Sequence, residues 1–201
     1  DKRSAESFEE SLRKLQTEYV DLLLVHQPYG DYYGTYRALE RAMEEGLTRA
    51  IGVSNFRPDR YYDLVQHCKI IPMVNQLEAN VLSQQTEIRE VMKEYGTKVM
   101  AWGPVAQGKA DIIENKALEE LGKKYGKSAA QIGLRFLTQE GIAAIPKSSN
   151  PERIAANIDI FDFELNEEEM TVLRAMNATD AGTRDYSYLP YVSKLIGQKV
   201  L

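Results

Sequence analysis

Apolar positions alternate along the chain between a helical rhythm and short continuous runs. Phe8, Leu12 and Leu15 recur at i, i+4 and i+7, one stripe of a helix that Ser4 is suited to cap. Residues 20–25 follow, apolar on both faces from Leu22 to Val25, as in a strand covered on each side within a parallel sheet. The helical rhythm returns over 35–45, Gly46 closes it, and 48–53 gives a second strand. Pro58 opens a helix with Tyr61, Leu64, Val65 and Cys68 on one face, before a third strand at 72–76. Ser83 precedes a helix carrying Ile88, Val91, Met92 and Tyr95, Gly96 ends it, and 98–102 is the fourth strand. Helices at 115–125 and 128–140, the second with a Ser128–Gln131 capping box, lead to a fifth strand at 142–145. One helix runs from Pro151 to Ile158, and another, capped by Asn166 and Glu169, to Met176; 178–201 has no clear period.

Strands separated by helices, with no hairpin signal, require a parallel α/β architecture. A doubly wound sheet calls for G-x-G-x-x-G after its first strand, and the sequence contains none. The remaining architecture is a TIM (β/α)8 barrel. A complete one typically takes about 250 residues. With 201 residues and five strand patterns, the expectation is a single partial barrel domain over 1–201, its N-terminal strands absent from this chain and its tail at 178–201 irregular. The first residues are Asp-Lys-Arg-Ser with no initiator Met, which fits a segment preceding residue 1. Residues 20–25 and 142–145 would then be open edges through which the chain self-associates or swaps strands.

Composition narrows the chemistry. Lys and Arg total 25 against 30 Asp and Glu, a net charge of −5, so no general attraction to nucleic acid or an anionic membrane exists. A bound anion therefore needs a local cluster. The one cysteine, Cys68, precludes an intrachain disulfide and offers no metal set, and its ordinary reading is a small apolar residue. No apolar run reaches the ~18 residues of a membrane span and no leader is visible, which places the protein in the cytoplasm by expectation.

In a parallel barrel the residues just past the strand ends converge on one mouth. Here they are His26 and Gln27, Ser54 and Asn55, Asn75 and Gln76, Trp102 and Gly103, and Lys147 to Asn150. Each alone reads equally as a strand end meeting solvent or a helix cap. Together they offer amides suited to a carboxamide and an indole face on which a ring can stack, a combination matching nicotinamide. Lys147, Ser148 and Arg153, with the amides opening the helix at Pro151, suit a phosphate monoester; the competing reading is plain surface charge. His26 can polarise a carbonyl or be a structural histidine, whereas His67, late in its helix, favours the helix C-terminus. Gly103 to Lys109 matches seven places of a P-loop, but Ala110 supplies no magnesium ligand and no helix is expected from Lys109.

The strings Asp21-Leu-Leu-Leu-Val-His26-Gln-Pro28, Ile51-Gly-Val-Ser-Asn-Phe56, Val74-Asn-Gln76 and Ile145-Pro-Lys-Ser-Ser-Asn-Pro-Glu-Arg153 resemble the aldo-keto reductase family, in order and spacing, over residues 4–177. The resemblance implies a (β/α)8 barrel that reduces aldehydes and ketones with NADPH. By position, His26 is similar to the histidine of the family's catalytic tetrad. Ser54, Asn55 and Gln76 resemble its carboxamide contacts, and Trp102 stands where an aromatic stacks on the nicotinamide. Val105 to Gly108, including Gln107 and following Gly103, resembles the loop over the pyrophosphate. Lys147, Ser148, Asn150 and Arg153 fall where the family holds the 2′-phosphate, and Asn157 where it meets adenine. Ala156 departs from a common Glu and Gln27 from a common aromatic, and no segment resembles the motifs carrying the family's Asp, Tyr and Lys.

The resemblance thus implies a reductase of small carbonyl compounds whose 201 residues alone are nearly inactive. The alternatives are a non-catalytic NADP(H)-binding or scaffold protein of the same fold, and a phosphate-binding barrel enzyme without redox chemistry. The second of these leaves Asn55, Gln76 and Trp102 unused. Tyr32, Tyr33 and Tyr186 are candidates to line a substrate pocket or to be ordinary loop aromatics.

Overall fold

The apolar run at the second strand forms β2 (Thr48–Ser54), where Ile51 and Val53 are wholly buried on one face and Gly52 and Ser54 are buried on the other. The computed structural model describes residues 2–108 and 110–178 with 192, 193 and 197, and of these all side chains except those of 2–4, 107, 110 and 111. Most of the expected irregular tail, with Tyr186, therefore lies outside the described residues. The chain divides into two compact units, one formed by 1–77 with 87–98 and the other by 78–86 with 99–201.

In the first unit β1 (Val20–Val25), β2 and β3 (Val74–Glu78) are neighbours in that order, and both pairings are parallel. Val25 pairs with Val53 and Ser54 with Gln76, so β1 and β2 end close to one level while β3 runs two residues past Gln76 to Glu78. Gly52 makes the β2–β3 approach feasible: a Cβ there would collide with the Val74 carbonyl oxygen and lie 2.8 Å from Leu24 Cδ2. Outside β1, α1 (Lys2–Leu15) contributes Phe8 and Leu12 to a cluster with Ala42, on which Val20, Leu23 and Leu47 pack. Ser4 lies inside α1 rather than capping it.

The helix α2 (Tyr32–Glu44) begins earlier than the apolar spacing predicts because Asp31 caps it, accepting the Gly34 N–H at 2.7 Å. Tyr61, Leu64 and Val65 of α3 (Pro58–Val65) are buried as expected, and so are Ile88 and Met92 of α4 (Thr86–Glu94). Ser83 does not cap α4; it pairs with Asn80 in a short antiparallel bridge. Cys68 falls past the end of α3, half-buried, and burial together with the nearby Glu40 charge pushes its thiol up to about 11, which makes it unreactive.

A polar clamp joins α2 to α3. The Tyr32 hydroxyl donates to Asp63 Oδ2 at 3.1 Å, and Tyr33 donates to the same oxygen. The two rings stack at 4.5 Å, Tyr32 meets Phe56 edge-on, and the His67 ring stands edge-on to Tyr33. His67 Nδ1 lies 2.8 Å from the Asp63 carbonyl oxygen, which places it at the end of α3 as the sequence suggested. Donation from Tyr33 and then Tyr32 holds the Asp63 carboxyl below its ordinary range, while the same bond to Asp63 raises the Tyr33 phenol.

In the second unit β4 (Lys98–Trp102) pairs in parallel with β5 (Ala143–Ala144), through Met100 with Ala143 and Ala101 with Ala144. The fifth strand is shorter than 142–145 because the Ile142 N–H turns back to Leu137 O at the preceding helix end. A 3-10 turn at Ala106–Gly108 and the short α5 (Ala110–Ile113) follow β4, so helical backbone does resume just past Lys109, contrary to expectation. Next come α6 (Lys116–Tyr125), capped by Asn115, and α7 (Ala129–Gln139), with the predicted Ser128–Gln131 box. Ile132, Leu134, Phe136 and Leu137 make α7 the apolar centre of this unit. Helices α8 (Pro151–Ile158) and α9 (Glu167–Arg174) have the predicted starts, α9 with its Asn166–Glu169 box. Among the described residues no helix is long and apolar enough to cross a membrane.

Gly52→Ala is expected to destabilise the protein by about 2–4 kcal/mol, read as a lower urea midpoint at unchanged m-value, since the Val74 carbonyl cannot yield without disturbing the ladder. The clamp gives a pH signature. With its pKa lowered in the fold, Asp63 contributes stability that is present above the ordinary carboxylate range and lost as pH falls through the lowered value. The raised Tyr33 contributes stability below the usual phenol range, near pH 10, that is lost as pH rises through the higher folded value. In a spectrophotometric titration Asp63→Asn should return one tyrosine toward ordinary ionisation; an unchanged titration curve would refute the clamp.

Candidate functional site

The ends of β1 and β2, with Gln76 of the neighbouring β3, collect four of the predicted residues. The Gln76 carbonyl oxygen accepts the Asn55 N–H at 2.9 Å and the Ser54 hydroxyl at 3.1 Å. Asn55 in turn donates through Nδ2 to Ser54 Oγ at 3.1 Å and to the His26 carbonyl oxygen at 3.4 Å. Ser54 and Asn55 are buried, Gln76 is half-buried and the His26 side chain is exposed. Asn55 has φ +62°, a left-handed conformation unusual outside glycine but tolerated by Asn. Such strain tends to mark functional positions. Only the Asn itself hinted at it in the sequence. Beside His26, Gln27 keeps its Oε1 buried and without a hydrogen-bond partner among the described residues.

Tyr32 and Tyr33 are not in a loop. They stand in the first turn of α2, Tyr32 buried and both hydroxyls engaged by Asp63.

In the second unit the exits of β4 and β5 open on a cleft of about 1040 Å³. Its lining includes Trp102, Gly103, Val105 and Gly108, the glycines at φ +60° and +78° and Ala106 between them at +46°. Lys147, Ser148, Arg153 and Asn157 line it as well, so the structure brings most of the residues predicted here to one cavity. The Gln107 side chain lies outside the described ones. Sequence reasoning missed the walls from Ala129 and Ala130, Ile113 and Ile145, and the carboxylate of Glu152. The helix-start signal at Ser128 was the available clue to the first two, because helix N-termini follow strand exits in this architecture.

In this unit some cations are paired with carboxylates, while others, such as Lys116 and Lys123, are not, among the described residues. Lys124, Lys127 and Arg174 are paired with Glu169, with Asp159 and Asp162, and with Glu140 and Glu167. Lys147 and Arg153 are exposed and have no ion-pair partner among the described residues. Two unpaired cations in a cavity can hold a phosphate.

One part of the predicted phosphate site needs correction. The first amides of α8 are already occupied: Asn150 Oδ1 accepts the N–H of Glu152 at 2.8 Å and of Arg153 at 3.3 Å, and Pro151 has none. Asn150 is therefore a helix cap through Oδ1, and Ser148 Oγ accepts the Asn150 N–H at 3.1 Å. An anion here meets side chains rather than a helix N-terminus.

Comparison with known proteins gives the family and the fold. Residues 1–178 match the profile of the Aldo/keto reductase family. The chain is 44% identical over 172 residues to the glyoxal reductase of Bacillus subtilis, covering 85% of this chain and 62% of that protein. It is likewise 44% identical over 173 residues to the 9,11-endoperoxide prostaglandin H2 reductase of Trypanosoma cruzi, covering 85% of this chain and 61% of the relative. The chain thus spans about three-fifths of the length of these curated relatives. Among solved structures, an aldo-keto reductase from a Medee basin deep-sea metagenome library superposes with a TM-score of 0.86 at 38% identity, over 88% of this chain and 66% of that one. A Bombyx mori aldo-keto reductase in complex with NADP gives 0.83 at 33% identity, over 98% and 68%. The parallel α/β fold is accordingly that of part of a (β/α)8 barrel, and the chain belongs to the aldo/keto reductase family.

Proposed function

We propose that the protein is an NADPH-dependent reductase of small aldehydes and ketones, and that this chain carries the cofactor-binding share of its machinery. The observation that carries the reading is the cleft lined by Trp102 together with the unpaired Lys147 and Arg153. Those residues fit a dinucleotide phosphate: an indole face for a flat ring, an apolar wall, and two cations in a protein of net charge −5. A barrel enzyme using phosphate without redox chemistry has no use for Trp102, Asn55 and Gln76.

By resemblance, Lys147, Ser148 and Arg153 hold the 2′-phosphate, with Asn150 adding its side-chain amide nitrogen. Asn157 meets adenine, Val105 to Gly108 pass along the pyrophosphate, and Trp102 stacks on the nicotinamide. Ser54, Asn55 and Gln76 address the carboxamide. When bound, the reduced nicotinamide supplies a hydride equivalent for a carbonyl carbon. His26, exposed at the end of β1 with its backbone held by Asn55, orients the carbonyl oxygen through an imidazole hydrogen bond. Glyoxal, the substrate class named for the Bacillus subtilis relative, is the first to try. Lacking residues matched to the family's Asp, Tyr and Lys, the 201 residues alone bind cofactor without efficient turnover. We place the protein in the cytoplasm.

Trp102, the sole tryptophan of the chain, should report binding directly. NADPH is expected to quench it, and Lys147→Ala to weaken NADPH by roughly 10- to 100-fold through loss of a charge-assisted contact. Equal affinities for the two proteins would remove the phosphate assignment. Steady-state NADPH oxidation with glyoxal should be near background for the 201 residues and appear in a longer form that supplies the Asp, Tyr and Lys; brisk turnover by the 201 residues alone would overturn that division.

A further inference from the structure

We propose that Glu152 is a specificity-determining residue of the cofactor site: its carboxylate weakens the grip on an adenosine 2′-phosphate and accepts a ribose 2′-hydroxyl instead, so that the site takes NADH as well as NADPH. The inference rests on the reading of Lys147 and Arg153 as the phosphate site.

Three observations lead to it. Glu152 lines the same cleft as Lys147 and Arg153. It is exposed and, among the described residues, paired with neither of them, so its carboxylate, like those of Glu119, Glu120, Glu164 and Glu168 elsewhere in this unit, is not neutralised by a cation. Finally, the N–H groups of Glu152 and Arg153, which would otherwise offset its charge, are taken by Asn150 Oδ1. The cationic end of the cleft therefore presents a net charge of +1, from Lys147 and Arg153 against Glu152, rather than +2.

A phosphate monoester is close to dianionic at neutral pH, so a carboxylate in the same pocket opposes it. Toward an unphosphorylated ribose the sign reverses. A carboxylate is an acceptor-only group, and accepting from a ribose hydroxyl is how acidic side chains favour NAD over NADP in dinucleotide sites, while a cation accommodates the phosphate. Glu152 beside two cations combines both tendencies in one cavity. An acidic residue in the first turn of α8 also favours the helix. That role alone has no bearing on which dinucleotide binds, and this is where experiment separates the two explanations.

The chain and its Glu152→Gln variant are titrated separately with NADPH and NADH, with Trp102 fluorescence as the readout and the thermal midpoint verifying that the exposed, near-isosteric substitution leaves the fold intact. E152Q is expected to tighten NADPH by about threefold to tenfold, less at high salt, and to weaken NADH by a similar factor. Glu152→Asp, which keeps the charge, should stay near the wild-type ratio. If E152Q changes both dissociation constants by one factor, or neither, the assignment is overturned while the phosphate site stands. If the parent chain binds neither dinucleotide, the proposed function falls and this inference with it.

Discussion

The carbonyl oxygen of Gln76 is the point on which the first unit's chemistry depends. Parallel pairing of Ser54 with Gln76 places two donors, the Asn55 N–H and the Ser54 hydroxyl, within reach of that one acceptor. Satisfying both fixes the chain where it leaves β2, and Asn55 accepts a left-handed backbone to do so. The same Asn55 then reaches across to the His26 carbonyl and holds the exit of β1. Such a network is cooperative: a shift of register by one residue would turn Ser54 and Gln76 to the other face and leave buried donors unmade. Gly52 guards that register, because only a residue without Cβ admits the Val74 carbonyl.

Most of this was legible along the chain. Strand identity followed from runs apolar on both faces, and the burial of Ile51 and Val53 on one face with Gly52 and Ser54 on the other shows why: β2 has a neighbour on each edge and cover on both sides. Helix ends were legible where a cap has a side-chain signature, as at Ser128 with Gln131 and Asn166 with Glu169. Failures came where polar side chains chose among several backbone partners. Asp31 won the start of α2 by reaching Gly34, and Ser83 went to a bridge with Asn80 instead of a cap. Local pattern cannot rank such alternatives, because each satisfies the same groups at similar cost.

Site residues divide by the same logic. Those at strand ends were found because parallel topology gathers them, and the cleft holds Trp102, Lys147 and Arg153 together. Their meaning changed where the backbone had a prior claim. Asn150 has the composition of a ligand residue, yet its oxygen belongs to α8. Tyr32 and Tyr33 have the composition of pocket walls, yet their hydroxyls belong to Asp63. Sequence identifies chemical capacity, and only the folded neighbourhood decides how much of it is already committed.

That commitment has an electrostatic consequence. Once the α8 amides are capped, nothing in the backbone of that turn is left to attract an anion, and recognition passes to exposed side chains. Helix-terminus dipoles act over about one turn and are fixed in direction. Exposed cations act through water, over a screening length of about 10 Å at moderate salt, and each added or removed charge changes the sum. In a protein whose net charge is −5, a site built in this way can be tuned by single substitutions at its rim without rebuilding the fold. A carboxylate among those cations, as Glu152 is, lowers the positive charge of the cleft lining and leaves the hydrogen bonds of Ser54, Asn55 and Gln76 untouched.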